Sequence, residues 1–208
     1  LDWLEGESGP DGWAKVIDLD GLASMARLLR RMHDASVGFS LSPEMSWADE
    51  SAPTTDEVIC HGDFGPWNLV WSGLKPVGII DWDLAHAGRR LDDLAYALEY
   101  VAPFRDDREA IRWLRYPEAP DRAMRIRRFC VAYGWGGEPD RVDPPSSTQM
   151  VELVDAVIDR QIRARDLAGR LAAEGIEPQA TWVAEGRSAI WNDRIGWSQR
   201  NRTALVGG

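Results

Sequence analysis

Lysine and cysteine are almost missing from this sequence of 208 residues. Lys15 and Lys75 are its lysines, and arginine supplies the rest of the 24 basic residues. Cys60 and Cys130 stand far apart in no ligand-like spacing, which excludes a cysteine-based metal site and a disulfide framework. No apolar run reaches the roughly 18 residues of a membrane span, and no signal peptide is evident. A membrane partner is therefore not expected, and the expected location is cytoplasmic. Positive charge is short as well: 34 acids against 24 bases leave a net charge of −10. Nucleic acid is not an expected partner, because a phosphate backbone requires a basic footprint. The acidic balance suits a cationic small molecule better. The first residue is Leu1 rather than methionine, from which a fragment or a processed product is expected.

What is present is ordinary for a soluble globular domain: 44% apolar and 28% charged residues, enough to bury a core. Residues 1–17, with Gly6, Gly9, Pro10 and Gly12, read as a loop. Leu22, Met25, Leu29 and Met32 fall at helical spacing after an aspartate cap, and the pattern predicts a helix from Asp20 to His33. Residues 36–57 read as a surface loop. Val58–Cys60, Leu69–Trp71 and Val77–Ile80 read as short strands between turn residues. From Leu91 the period is helical again, with further helices expected at 107–115, 120–133, 147–174 and 178–204. The Glu/Arg-rich stretches near 105–128 and 150–174 read as solvated helix faces. The expected class is α+β, mainly helical, with one small β element.

The unusual chemistry sits in that element. His61-Gly62-Asp63-Phe64-Gly65-Pro66-Trp67-Asn68 follows the first strand, and Gly65-Pro66 forces a tight loop that lets Asp63 and Asn68 converge. The next two strands can pair around residues 72–76, Trp71 opposite Val77 and Leu69 opposite Ile79, so that Asn68 and Asp81 meet at the open end. A carboxamide oxygen beside a carboxylate is a hard-oxygen site suited to Mg²⁺, which completes its shell with phosphate and water. Asp63, with no basic neighbour in sequence, can accept a hydrogen bond from a substrate hydroxyl and orient it for attack. Taken singly, each residue reads as a turn or strand-end group satisfying backbone amides; the spacing of all three carries the argument. Trp67, Trp71 and Trp82, among 11 tryptophans, are expected to wall this region.

His-x-Asp-x-x-x-x-Asn followed by an aspartate after the hairpin is the spacing of a kinase catalytic loop. In detail it resembles the aminoglycoside phosphotransferase and choline kinase branch of kinase-like enzymes. Ile79-Ile80-Asp81-Trp82-Asp83 is similar to that family's metal segment, and Gly88 to Ala95 to its Gly-Asp-Pro-x-x-Asp-Leu-Ala, with Arg89 and Arg90 in place of Asp-Pro. Leu28 to His33 resembles the end of the family's first large-lobe helix, and residues 1–7 its hinge. The resemblance implies the C-terminal lobe of a protein-kinase-like fold over residues 1–208. In that division 1–17 form the hinge loop, 58–83 the catalytic loop and metal-site hairpin, and 91–208 a helical subdomain. It implies Asp63 as catalytic base or hydroxyl-orienting group, and Asn68 and Asp81 as Mg²⁺ ligands. His61 would brace the loop and Asp93 anchor it; Asp83 would contact a second metal or the substrate. The implied reaction is transfer of the γ-phosphoryl group of ATP or GTP to a hydroxyl of an aminoglycoside or amino-alcohol.

Such an enzyme also needs a lysine and a glycine-rich loop to clamp the nucleotide phosphates. No Gly-x-Gly-x-x-Gly occurs, and Lys15 and Lys75 lie in a loop and a hairpin turn. The N-terminal, nucleotide-clamping lobe is accordingly expected to be absent, and the chain to be inactive alone. A bare lobe interface, formed by 1–7, the tip of 64–67 and the Ile79–Trp82 strand end, is expected to meet that lobe or to self-associate. The rival reading is a non-catalytic kinase-like module acting through protein contacts. Asp81-x-Asp83 also resembles a glycosyltransferase metal motif, but no alternating α/β nucleotide domain accompanies it.

Overall fold

A computed structural model describes residues 3–39, 57–140 and 144–207, so most of the expected 36–57 loop lies outside the described residues. The order of elements is α1 (Gly12–Ile17), α2 (Leu19–Ala35), β1 (Glu57–Cys60), β2 (Leu69–Ser72), β3 (Lys75–Ile79), β4 (His86–Arg89) and α3 (Arg90–Val101), followed by α4 (Asp107–Leu114), α5 (Arg122–Tyr133), α6 (Ser147–Ala173), α7 (Gln179–Ala184), α8 (Arg187–Arg200) and α9 (Arg202–Val206). The class is α+β and mainly helical, as the sequence pattern predicts. No helix among the described residues is long and apolar enough to cross a membrane.

Amphipathic spacing builds the core. Leu22, Met25 and Leu29 of α2 meet Leu94 and Leu98 of α3, Ile126 and Phe129 of α5, and Leu153 and Val157 of α6, all fully buried. Each such side chain contributes about 1.5–3 kcal/mol relative to exposure. Asp18 caps α2, its carboxylate accepting from the Asp20 N–H at 2.7 Å. Ser146 and Gln149 form a capping box at the start of the 27-residue α6.

The strands make two antiparallel pairs, β1 with β4 and β2 with β3. In the second, Leu69 faces Ile79 as expected, but Trp71 faces Pro76 rather than Val77. A bulge leaves Val77 as the extra residue on β3. Strand β4 was not expected: His86-Ala87-Gly88-Arg89 has no apolar alternation, and it is strand only through its partner, Cys60 facing His86 and Val58 facing Gly88.

Other expectations are corrected locally. Residues 1–17 are not all loop: Gly12–Ile17 is helical, and Glu7 pairs with Trp71 as an isolated bridge on the hairpin's edge. Helix α2 runs on past His33 to Ala35. The 178–204 helix is three helices, interrupted at Gly186, whose left-handed φ of 83° suits glycine. The charged helices are also more than solvated faces. Arg125 is buried and donates to the carbonyls of Val101 at 2.6 Å, Ile17 at 3.0 Å and Val16. It thereby satisfies the C-terminal ends of α3 and α1 together.

Candidate active site

The loop after β1 is shaped by its backbone partners. The N–H groups of His61 and Gly62 both donate to the Asp93 carboxylate on α3, at 2.7 and 3.0 Å. Gly62 has φ 79°, and a Cβ there would meet the Leu84 carbonyl oxygen at 2.2 Å, so glycine is required. Beyond it, Gly65 N–H donates to Asp63 O at 2.7 Å and Asn68 N–H to Gly65 O at 3.0 Å, folding the loop tightly. That fold brings Asn68 onto Asp63. The Asn68 amide donates to the Asp63 carbonyl at 3.0 Å and to Asp63 Oδ2 at 2.9 Å. With Nδ2 committed, Oδ1 is the atom of this amide that remains for a cation.

Asp81 reaches the same end of the hairpin. Ile80 N–H donates to the Asn68 carbonyl at 3.0 Å, so Asp81 follows directly on the residue bonded to Asn68. His61 is fully buried, and its Nε2 bonds the Ile80 carbonyl at 2.9 Å while its Nδ1 accepts from Asp63 N–H at 3.2 Å. Nε2 is therefore the protonated nitrogen, and the ring ties the 61–68 loop to the end of β3. Asp81 has φ 64°, a strained position for any residue but glycine, though aspartate tolerates it better than most. Its carboxylate and that of Asp83 are exposed and have no side-chain partner among the described residues. Oxygen donors of this kind fit Mg²⁺, which takes one or two carboxylates plus phosphate oxygens.

A second cluster lies behind the loop. His33, Cys60 and Asp93 bring ligand atoms within 4.8 Å of one another, all buried. Hydrogen bonds account for it without a metal. His33 Nε2 bonds Asp93 Oδ2 at 3.1 Å and Nδ1 bonds Tyr133 Oη at 2.8 Å. Burial, with Asp93 and Asp92 nearby, pushes the Cys60 thiol far up, so it stays protonated and donates to Arg89 O at 3.3 Å. Sequence reasoning gave His33 no role, because its partners lie 60 and 100 residues away.

Two further groups were missed for the same reason. The Tyr96 hydroxyl donates to Asp63 Oδ1, and the Arg160 guanidinium lies 3.9 Å from the centre of the Tyr96 ring. Burial, then Tyr100 and Asp63, drive the Tyr96 phenol strongly up, keeping it a donor. Of the three tryptophans, Trp71 is fully buried with its indole N–H on Pro66 O at 2.9 Å. Trp67 packs on Trp13 and Tyr100, and Trp82 lies over His61 at 4.9 Å between ring centres. The tip of the 64–67 loop is not bare: Phe64, Gly65 and Pro66 are buried.

The profile of the phosphotransferase enzyme family matches residues 26–130, a span that holds every group just described except Trp13, Tyr133 and Arg160. A trifolitoxin immunity protein of Rhizobium leguminosarum bv. trifolii is 30% identical over 200 residues, covering 92% of this chain and 71% of that protein. The chain belongs to the phosphotransferase enzyme family. No solved structure matches it. Members of this family are kinase-like in fold, and the helical α+β architecture of this phosphotransferase family chain agrees with that assignment.

Proposed function

We propose that residues 1–208 form the catalytic-loop lobe of a Mg²⁺-dependent phosphotransferase that moves the γ-phosphoryl group of ATP or GTP to a hydroxyl of a small molecule. The observation that carries this reading is the linkage of three groups: Asn68 on Asp63 through its amide, and Asp81 next to Asn68 through the backbone bond of Ile80. Asp63 orients the acceptor hydroxyl and takes its proton as the oxygen attacks phosphorus. Asn68 and Asp81 hold the metal, which neutralises charge on the nucleotide phosphates. Asp83 contacts a second metal or the substrate. His61 and Asp93 hold the loop in place. The reaction belongs in the cytoplasm, where ATP is supplied.

The lysine and glycine-rich loop that clamp the nucleotide come, in this proposal, from residues outside these 208. Lys15 is paired with Glu7, and Lys75 is exposed at the start of β3. The relative's name gives the acceptor a character. That relative is named for immunity to a toxin; carried to this chain, the proposed acceptor is a toxin hydroxyl, and a cationic small molecule suits the net charge of −10. A screen of hydroxyl-bearing toxic compounds with labelled ATP and Mg²⁺ tests this, using the full-length protein. Label transferred by the wild type and lost in Asp63→Ala supports the reading. Protection of cells by Asp63→Ala as complete as by the wild type would favour a non-catalytic module that sequesters its target.

A further inference from the structure

We infer that Tyr96 is a positioning residue for the reaction: its hydroxyl, donated to Asp63 Oδ1, fixes the orientation of the carboxylate that receives the acceptor hydroxyl. This role rests on Asp63 being the hydroxyl-orienting group proposed above. The argument begins with α3. Leu91, Leu94, Ala95 and Leu98 face the core at helical spacing and are buried. Asp93, Tyr96 and Tyr100 form a second stripe, at i, i+3 and i+7, on the side toward the catalytic loop. One turn of one helix therefore grips the loop twice. Asp93 takes the backbone N–H groups of His61 and Gly62, and Tyr96, a turn later, takes the side chain of Asp63.

The carboxylate is thus held from two directions. Asn68 Nδ2 donates to Oδ2 at 2.9 Å, and the phenol donates to Oδ1. An ionised carboxylate has about four lone-pair sites, so two donors orient it and still leave sites for a substrate hydroxyl. Either donor alone would leave the group free to turn about its own bonds, and misorientation of a catalytic group is costly in rate.

The phenol is itself fixed. Arg160 of α6 lies over its ring at 3.9 Å and is paired with the buried Glu99 of α3; Tyr100 packs beside it at 5.4 Å between ring centres. A ring needed only to fill space would be served by phenylalanine. The hydroxyl on Asp63 is what phenylalanine lacks.

Tyr96→Phe removes that atom alone, and an unchanged thermal midpoint verifies that packing is kept. Two readouts then decide. When crystal structures of the wild type and the variant are compared, Asp63 is expected in one rotamer in the wild type and in more than one in the variant. In full-length protein turning over Mg²⁺–ATP, with water or a hydroxyl acceptor, kcat is expected to fall about tenfold or more with the KM for ATP unchanged. A single, wild-type rotamer of Asp63 in the variant, or an unaltered kcat, overturns the inference. If the wild type transfers no phosphate to any acceptor, the functional reading fails separately, and the rotamer of Asp63 alone decides whether Tyr96 positions it.

Discussion

His33 and Asp93 meet at 3.1 Å inside the protein, neither more than 1% exposed. The pair joins α2 to α3, and the same Asp93 carboxylate holds the N–H groups of His61 and Gly62. Asp93→Ala takes the acceptor from three groups, the buried His61 N–H and His33 Nε2 and the half-buried Gly62 N–H, each buried one costing about 1–3 kcal/mol when unpaired. The expected loss is about 3–5 kcal/mol in urea unfolding. A loss of phosphoryl transfer should accompany it, relieved in part at low temperature. A midpoint within experimental scatter of the wild type would show that the loop does not depend on this carboxylate.

The exposed acids should behave in the opposite way. The Asp81 side chain has no hydrogen-bond or ion-pair partner among the described residues, so Asp81→Asn should leave the unfolding midpoint where it is. It should nonetheless abolish transfer in full-length protein, since an amide is a poorer Mg²⁺ ligand than a carboxylate. Asp63→Ala should lower kcat by roughly 10²- to 10⁴-fold with little change in KM for ATP, because the role proposed for it places it on the acceptor rather than the nucleotide. Retained activity in Asp81→Asn would remove it from the metal site.

These contrasts show where the sequence was legible. Asp63, Asn68 and Asp81 lie within one loop and one hairpin, so spacing alone brings them close. The register of Leu69 with Ile79 followed from counting back along the turn. Counting failed at Trp71, because a bulge shifts Pro76 into the place expected for Val77. Strand β4 left no pattern because His86-Ala87-Gly88-Arg89 has no apolar alternation and gains strand geometry only from β1. Tyr96 and Arg160 were illegible for a different reason. They reach the site from α3 and α6, and only the packing of those helices puts a phenol on Asp63 and a guanidinium on the phenol. The burial of Arg125 was equally hidden, since an arginine among arginines reads as surface.

Arg125 gives a stability prediction of its own. Burial holds its guanidinium below the usual arginine range, yet it donates to three main-chain carbonyls at the ends of α1 and α3. Arg125→Met keeps the stem and removes every donor. The expected cost is about 2–4 kcal/mol in urea unfolding, the sum of buried acceptors left unpaired less the desolvation that the charge no longer suffers. Arg125→Lys should recover little, since one ammonium cannot reach both helix ends as a planar fork does. Full recovery with lysine would argue for charge alone.

The pair Arg27–Asp140 predicts an acid-side effect. Two hydrogen bonds of 2.8 Å from Arg27 hold the Asp140 carboxyl below its ordinary range, against a smaller opposing effect of burial. A lowered native value stabilises the fold above the unfolded-state value of about 3.9 and is lost as pH falls through the native one. Asp140→Asn, which keeps a residue tolerant of the φ of 57°, should reduce stability at pH 6 by at most about 1 kcal/mol, as the pair is half-exposed. At pH 2 the variant and the wild type should unfold together. A gap as large at pH 2 as at pH 6 would mean that the ion pair is not its source.

The last prediction concerns the face around the proposed catalytic loop. Trp3 is 89% exposed, and Leu4, Val77, Ile80, Trp82 and Leu84 are each exposed by more than a third. They are not scattered: Leu4 lies against Gly78 of β3, and the end of that strand leads through Ile80 to Trp82, whose ring covers His61. The 64–67 loop does not contribute, because α1 and the core cover it. Large apolar side chains gathered on one side of a domain mark a surface that another protein surface covers, and this one borders the residues proposed to hold the metal. The nucleotide-clamping lobe proposed to complete the enzyme would cover it. Residues 1–208 purified without such a lobe are therefore expected to self-associate, with sedimentation coefficients rising over the micromolar range. Replacing Trp3 and Leu4 with serine should shift that equilibrium toward monomer while leaving the core helices and the unfolding midpoint as they are. Lobe-complete protein should stay monomeric at the same concentrations and transfer phosphate, whereas residues 1–208 alone should not. A monomer at every concentration would show that this apolar face is tolerated in water. Turnover by residues 1–208 at the roughly 1–100 s⁻¹ of ordinary kinases would show that no outside lysine or glycine-rich loop is needed.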